Sequence, residues 1–223
     1  MGNGFLSDEM SAILSQLTAG LFTTVEIFIL TLVLSMPLGL LVAFGRMSKN
    51  PFLRWIIKIY ISIMRGTPLM LQLMMVYFGP YYIFEVSISS EYRFYAVLIG
   101  FVLNYAAYFA EIFRGGIESM PAGQYEAAQV LGFGRVQTFF RIILPQVIKR
   151  ILPAITNEVI TLVKDTSLAT VISVGEMFTA AKALASSQVS VLPFIVAGVF
   201  YYIMNYVVAW IMEGFEKRMN YFK

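Results

Sequence analysis

The sequence predicts an all-α, polytopic membrane protein with five transmembrane helices. Of the 223 residues, 59% are hydrophobic and 13% are charged, and the mean hydropathy is +0.76. A soluble domain of this length cannot bury so much apolar surface. Several apolar runs approach the roughly 20 residues that a helix needs to cross a hydrocarbon core of about 30 Å. Lysine and arginine gather between these runs, as they do in loops beside a membrane.

The apolar runs define the spans and a single transmembrane domain, residues 1–223. The five predicted spans are residues 20–45, 69–84, 94–113, 151–174 and 191–212, of which the second is the shortest. We find no internal repeat or linker that would divide the chain further.

The basic residues predict the orientation. They follow the first span, lie between the third and fourth, and follow the last: Arg46, Lys49, Arg54, Lys58, Arg114, Arg135, Arg141, Lys149, Arg150, Lys217, Arg218 and Lys223. Only Arg93 and Lys182 fall on the other side. An excess of Lys and Arg marks the cytoplasmic face, so the N-terminus is predicted outside and the C-terminus inside.

Residues 1–19 precede the first span and have apolar side chains at roughly helical spacing, among them Phe5, Leu6, Ile13 and Leu17. This pattern predicts an external amphipathic arm lying along the membrane surface. In the first span, Gly39 and Ala43 are small residues that allow close helix packing.

The segment 51–64 alternates apolar and basic residues at helical spacing and predicts an interfacial helix leading into the second span. A break is predicted at residues 65–68, where Gly66 and Pro68 stand together. Thr67 is placed to cap the next helix. Arg65 is expected to lie at the inner membrane boundary, paired with a carboxylate or extended toward water.

The third span ends with Asn104, Tyr105, Tyr108 and Glu111, at three- and four-residue steps that fall on one helix face. This face is predicted to point into the protein. The tyrosines can be explained as interfacial anchors. Asn104 lies deeper in the span and is a candidate for binding substrate.

The fourth span carries polar groups at bilayer depth, which is costly unless they face protein, water or a ligand. They are Asn157, Glu158, Thr161, Lys164 and Asp165. Glu158 and Asp165 are seven residues apart, so both carboxylates lie on one face about 10 Å apart along the axis. Two carboxylates at that separation suit the two cations of a lysine or arginine ligand, with Asn157 and Thr161 as neutral partners. Alternatively, Lys164 and Arg65 neutralise these carboxylates and the group is structural.

The composition excludes several kinds of chemistry. The chain has no Cys and no His, so it lacks disulfides, thiol nucleophiles, imidazole triads and the usual transition-metal ligands, and no catalytic or metal site is predicted. The net charge is +3, but the basic residues lie at the predicted membrane edges, so a nucleic-acid partner is not expected. No phosphate loop of the form Gly-x-x-x-x-Gly-Lys-Ser/Thr is present, so the chain is not expected to hydrolyse ATP.

The loop between the third and fourth spans holds the most specific motif. Good helix formers from Gln124 to Leu131, with Ala127 and Ala128 adjacent, are followed by Gly132 and predict a short helix with a small-residue surface. Glu126 offers a carboxylate to a partner protein. An ordinary solvated loop helix is the alternative interpretation.

The spacing of Glu126-Ala127-Ala128, Gly132 and Ile142-Ile143-Leu144-Pro145 resembles the signature (EAA) loop of the membrane subunits of ABC importers. The segments 111–117, 121–126 and 65–69 are similar to the polar amino-acid permease branch of that family. The resemblance extends from about residue 20 to the C-terminus. It implies a type I ABC importer-like fold in the bacterial cytoplasmic (inner) membrane.

The resemblance also implies partners and a mechanism. These are a separate ATPase that binds ATP and Mg, a second permease subunit in a homo- or heterodimer, and an extracytoplasmic amino-acid-binding protein. In such a transporter, residues 114–150 form a cytoplasmic loop whose coupling helix (Glu126, Ala127, Ala128 and Gly132) docks the ATPase. ATPase closure then rocks the spans so that a site for a polar, possibly basic, amino acid opens alternately to each side. A secondary transporter or small cation channel using Glu158 and Asp165 is the alternative.

Overall fold

In the computed structural model, the backbone is described for residues 2–219 and the side chains for residues 10–219. Within that part the chain is helical and has no β-strand. The helices are α1 (Gly2–Arg46), α2 (Pro51–Gly66), α3 (Leu69–Phe84), α4 (Tyr92–Glu118), α5 (Ala122–Val130), α6 (Arg135–Thr138), α7 (Leu144–Asp165), α8 (Met177–Gln188) and α9 (Leu192–Met219). A π-helical turn, Phe139–Ile143, joins α6 to α7, and a 3₁₀ helix, Thr166–Ile172, continues α7.

Three helices of the described part are long and apolar enough to cross a membrane alone: Met10–Arg46 within α1, α4 and α9. Two further spans are possible as bent pairs, α2 with α3 at 110° and Arg135–Ile172 with α8 at 56°. The prediction of five spans equals the upper count. The predicted second span coincides with α3, whose 16 residues are short of the roughly 20 required, so α3 is long enough only when it is counted together with α2. The sides that the two termini face stay a prediction.

The N-terminal segment continues without a break into the first span, because α1 begins at Gly2. Ile13 and Leu17 are buried against α8 and α9, where they contact Met177, Ala181 and Ala197. The side chains of Phe5 and Leu6, like Met1 and residues 220–223, lie outside the described part. The external placement of residues 1–19 stays a prediction, as does the cytoplasmic placement of residues 114–150.

The centre of the fold is the contact between α1 and α4. A Cβ added to Gly39 would lie 2.8 Å from Phe109 Cβ and 3.0 Å from the carbonyl oxygen of Ala106, so only glycine permits this approach. Ala43, Ala107 and Ala110 are fully buried beside it. Small residues let membrane helices approach closely, and the prediction made from Gly39 and Ala43 is confirmed.

The break between α2 and α3 falls at the predicted residues. Asn50 caps α2 by accepting from the Phe52 amide at 3.0 Å, and the helix ends at Gly66. The predicted cap of α3 by Thr67 is wrong. Thr67 Oγ1 instead donates to the Ile63 carbonyl oxygen at 2.8 Å, because Thr67 is still within reach of the last turn of α2, and Pro68 precedes α3.

Candidate functional site

The predicted carboxylates lie in the last turns of α7, next to the 3₁₀ helix that interrupts the span. Glu158 and Asp165 are half-buried, whereas Asn157 and Thr161 are exposed on the isolated chain. Thr161 Oγ1 donates to the Asn157 carbonyl oxygen at 2.8 Å, which satisfies that hydroxyl within the helix. The four residues therefore share the C-terminal half of α7 but differ in exposure.

Asp165 is held from α4. Tyr105 Oη donates a hydrogen bond of 2.7 Å to Asp165 Oδ2, and the tyrosine is only 2% exposed. Its ring stacks on Phe101 at 6.4 Å between centroids. Interfacial anchoring is therefore the wrong explanation for Tyr105. Packing inside the protein holds the tyrosine ring, and the tyrosine hydroxyl holds the Asp165 carboxylate.

Neither candidate carboxylate has a cation within ion-pair distance among residues 10–219. Arg65 is one of the two predicted partners of these carboxylates. Its Nη1 lies 3.9 Å from Glu111 Oε2, and its guanidinium carbon lies over the Tyr108 ring, 5.2 Å from the ring centroid. Glu158 accepts no hydrogen bond from the described side chains or backbone. The expected pairing of Arg65 with a carboxylate is confirmed, but its partner is Glu111 on α4 rather than the α7 pair.

Glu111 is the centre of a separate ionic cluster toward the end of α4. Arg114 donates two hydrogen bonds to Glu111, from Nη2 to Oε2 at 2.6 Å and from Nε to Oε1 at 3.1 Å. Arg114 also pairs with Glu118 one turn on. Bidentate arginine–carboxylate pairs are geometrically specific, so Arg114 fixes the Glu111 carboxylate. Arg65, at the end of α2, approaches that carboxylate from the other helix at 3.9 Å.

Asn104 is buried, at 5% exposure, and serves the break between α2 and α3. Its Nδ2 donates to the Met64 carbonyl oxygen and to Gln72 Oε1, both at 3.0 Å. Gln72 Nε2 in turn donates to the Met64 carbonyl oxygen at 2.9 Å and to Thr67 Oγ1 at 2.8 Å. Gln72 was not singled out from the sequence. Gln72 lies on α3 and Asn104 on α4, and the sequence predicts the break before α3 but not which side chains of the two helices meet.

Glu176 is a buried carboxylate that sequence reasoning missed. It is fully buried at the start of α8, where its oxygens accept from the amides of Phe178 (2.7 Å) and Thr179 (2.6 Å). Thr179 Oγ1 and Tyr201 Oη donate to it as well, at 2.8 and 3.0 Å. Glu176 therefore caps α8 and ties it to α9 across the bend of the fourth span.

The predicted loop helix is present as α5. It ends in a left-handed glycine, Gly132, with φ +78°. The Gly132 amide bonds the Gln129 carbonyl oxygen at 3.0 Å and the Phe133 amide bonds that of Ala128 at 3.0 Å, which is the Schellman arrangement. A residue with a side chain would be strained at Gly132, so this position defines the end of the helix.

The surface of α5 differs from the predicted one. Glu126 and Ala127 are exposed, whereas Ala128 is only 1% exposed and packs inward. Large apolar side chains extend the outer surface beyond Ala127: Val130 is 88% exposed and Leu131 73%. We call this outer surface, formed by Glu126, Ala127, Val130 and Leu131, the α5 face. It offers a partner protein an apolar contact beside one carboxylate.

Among the residues whose side chains are described, no three carboxylates converge closely enough to hold an ion. The polar groups at the site are the carboxylates, amides and hydroxyls already described, which suit recognition of a charged organic ligand.

Comparisons with known proteins agree with this architecture. The profile of the family described as "binding-protein-dependent transport system inner membrane component" matches residues 35–221. The L-cystine transport system permease protein TcyB of Bacillus subtilis (strain 168) is 36% identical, over 92% of this chain and 86% of its own length. The octopine permease OccM of Rhizobium radiobacter is 40% identical, over 89% and 85%. The arginine permease ArtQ of Bacillus subtilis is 36% identical, over 90% and 91%.

Two solved structures share the fold. A chain from the crystal structure of an amino acid ABC transporter with histidines superimposes with a TM-score of 0.86 at 32% identity, covering 98% of this chain and 100% of that one. A chain of the MetNI methionine ABC transporter, in an inward-facing conformation, gives a TM-score of 0.68 at 17% identity and covers 99% and 100%. At that identity the second likeness concerns the fold alone.

Proposed function

Since the chain belongs to the family of binding-protein-dependent transport system inner membrane components and is the permease subunit of an amino-acid ABC importer, we propose that it carries polar amino acids, with basic ones as the preferred class. The basic class comprises arginine, lysine and histidine. Not being an enzyme, the chain depends on a separate ATPase, a binding protein and a second permease subunit. We place the assembled transporter in a bacterial cytoplasmic membrane.

The observation that supports a basic substrate is the pair of carboxylates on α7, neither of which has a cation within ion-pair distance among the described residues. Glu158 and Asp165 lie about 10 Å apart along the helix. A carboxylate at bilayer depth needs a partner, and a ligand that brings two cations would supply one to each. Relatives named for arginine and octopine transport have cationic groups in their cargo, while others are named for cystine and glutamine.

Within this proposal the remaining predicted residues have distinct tasks. Tyr105 holds Asp165 Oδ2 at 2.7 Å, so that the other carboxylate oxygen can face the ligand. Asn157 and Thr161 are exposed on the same half of α7 and contribute neutral hydrogen bonds. Asn104 positions the bend between α2 and α3 that borders the site, because both of its amide hydrogens are already donated.

The α5 face is proposed to receive the ATPase, which binds ATP and Mg²⁺. Closure of an ATPase pair would push α5, and the push would reach the membrane through the π-helical turn that joins α6 to α7. Because α7 carries Glu158 and Asp165, a small displacement at α5 changes the access of the carboxylates to either side. Two global states with different ligand contacts are what such coupling requires.

The experiment is uptake by vesicles that contain the permease, its ATPase and its binding protein. Glu158→Gln removes the charge and keeps the shape. One charge-assisted contact contributes about 1.5–3 kcal/mol, so arginine or lysine uptake should fall about 10- to 100-fold while glutamine uptake changes little. Glu26→Gln is the matched control, because Glu26 is an exposed carboxylate on another span. Equal losses for arginine and glutamine would show that Glu158 has a structural role.

A further inference from the structure

A groove of about 800 Å³ lies where the ends of α4 and α9 meet the beginning of α7. Its lining is Met120, Arg141, Ile142, Pro145, Gln146, Lys149, Arg150, Pro153 and Met219. We call it the basic groove. It is separate from the carboxylate site on α7 and from the α5 face, although Gln146 Nε2 donates to Gln124 Oε1 of α5 at 3.3 Å. The basic groove is therefore on the same side of the protein as the coupling loop.

Among the described residues, the lining is cationic and contains no acidic side chain. Residues 127–157 include Arg135, Arg141, Lys149 and Arg150 and not one Asp or Glu. Arg141 and Arg150 are exposed and Lys149 is half-buried. Acidic groups at the flanking helix ends are already engaged, because Glu118 pairs with Arg114 and Glu216 accepts from Thr156 at 2.7 Å.

One arginine is held in place by the protein itself. Arg150 Nη1 donates to the carbonyl oxygen of Ser119, just past the end of α4, at 2.9 Å. This bond ties the guanidinium to the junction of α4 and α7 through one of its five N–H donors. A guanidinium fixed in this way is pre-organised to bind an oxyanion such as a phosphate.

Most of the remaining lining is apolar, and the groove lies at the ends of two candidate spans. Met120, Ile142, Pro153 and Met219 provide hydrocarbon contact beside the three cations. Both α4 and α9, which end at the groove, are long and apolar enough to be membrane spans. A site with cations and an apolar wall at the ends of two candidate spans fits a molecule that has an anionic head and acyl chains.

We propose that the basic groove binds the headgroup of an anionic phospholipid, with Arg141, Lys149 and Arg150 around the phosphate and the apolar residues against the first acyl carbons. Charge complementarity and the position at the ends of two spans favour a lipid over a protein segment. A lipid at this site would join α4, α7 and α9 next to the coupling loop, so transport should depend on anionic lipid. The proposal requires only that the chain is a membrane protein, and it holds whichever amino acid is carried.

The test measures lipid binding to the delipidated permease–ATPase complex by native mass spectrometry, with phosphatidylglycerol and phosphatidylcholine as probes. Each basic residue near a membrane surface contributes about 5-fold to the binding of anionic lipid. Arg141→Gln combined with Lys149→Gln should therefore weaken phosphatidylglycerol binding about 30-fold and leave phosphatidylcholine binding unchanged. The matched control, Arg54→Gln combined with Lys58→Gln, removes two exposed cations that do not line the basic groove and should change binding far less. Equal weakening by the two variants would show a general effect of surface charge and would overturn the proposal.

Several outcomes would overturn the proposal. Unchanged phosphatidylglycerol affinity in the Arg141/Lys149 variant would exclude the basic groove as the lipid site. If that variant also loses its ATPase subunit, the groove is part of the contact with the ATPase. If inorganic phosphate displaces phosphatidylglycerol at an equal concentration, the basic groove is a general anion site rather than a lipid site. If removal of residues 220–223 creates lipid binding that the intact chain lacks, the C-terminal segment is the occupant.

Discussion

The neighbouring alanines of α5 provide the sharpest mutational contrast in this protein. Ala127 is exposed and belongs to the α5 face, whereas Ala128 is 1% exposed and packs against the rest of the chain. The same substitution, alanine to tryptophan, should therefore produce two different failures at adjacent positions. Ala127→Trp places a bulky ring on the surface proposed to dock the ATPase, and Ala128→Trp forces it into a closed space.

The magnitudes follow from burial. Overpacking a buried position costs about 1–3 kcal/mol, and a tryptophan side chain at Ala128 is expected at the upper end of that range. Exposed substitutions usually change the free energy of unfolding by less than about 0.5 kcal/mol, so Ala127→Trp should leave the fold intact. A disrupted interface centre costs about 2 kcal/mol or more, which corresponds to roughly 30-fold weaker ATPase binding.

Two assays separate the variants. Thermal unfolding of the detergent-solubilised permease should show a lower midpoint for Ala128→Trp and an unchanged midpoint for Ala127→Trp. Titration with the ATPase should show weak binding by Ala127→Trp, together with loss of amino-acid-stimulated ATP hydrolysis. Full ATPase affinity and coupled uptake in Ala127→Trp would refute the assignment of the α5 face as the docking surface. Equal thermal midpoints would refute the packing argument for Ala128.

Two further predictions concern helix packing around the site. Gly39→Leu should lower the free energy of unfolding by about 1–3 kcal/mol, because the new side chain meets Phe109 and Ala106 across the α1–α4 contact. Gly198→Leu, with open space around it, is the control in the same thermal assay, and equal destabilisation by the two variants would show that close packing at Gly39 is not required. Glu176→Ala should lower the free energy of unfolding by about 1–3 kcal/mol, since the substitution leaves the Phe178 and Thr179 amides without an acceptor. Hydrogen exchange of these amides that stays slow in the variant would show that the two bonds do not stabilise the start of α8.

Local signals in the sequence were sufficient for much of the fold. The Gly66–Pro68 break located the boundary between α2 and α3, and Gly132 located the end of α5, because glycine and proline act on the backbone at their own position. The small residues Gly39 and Ala43 correctly indicated close helix packing. The cap expected from Thr67 is wrong because a threonine between two helices can form a hydrogen bond with either of them. Thr67 donates to the Ile63 carbonyl oxygen of the preceding helix, α2.

Contacts between distant segments could not be read in this way. Tyr105 and Asp165 are separated by 60 positions, so their hydrogen bond becomes visible only when α4 and α7 are placed side by side. Glu176 looks like an ordinary polar residue in a short loop, yet the bend of the fourth span buries it among donors from two helices. Likewise, helical propensity says that Ala127 and Ala128 favour a helix but not which of them faces outward.

An electron cryomicroscopy map of the permease–ATPase assembly with bound arginine would show whether the α7 carboxylates bind the substrate. We expect ligand density between Glu158 and Asp165, with the Tyr105 hydroxyl still on the Asp165 carboxylate. The density should disappear in a map of Glu158→Gln prepared with the same arginine. Density elsewhere in the membrane domain, with the two carboxylates paired to protein cations of either subunit, would show that Glu158 and Asp165 do not bind the substrate.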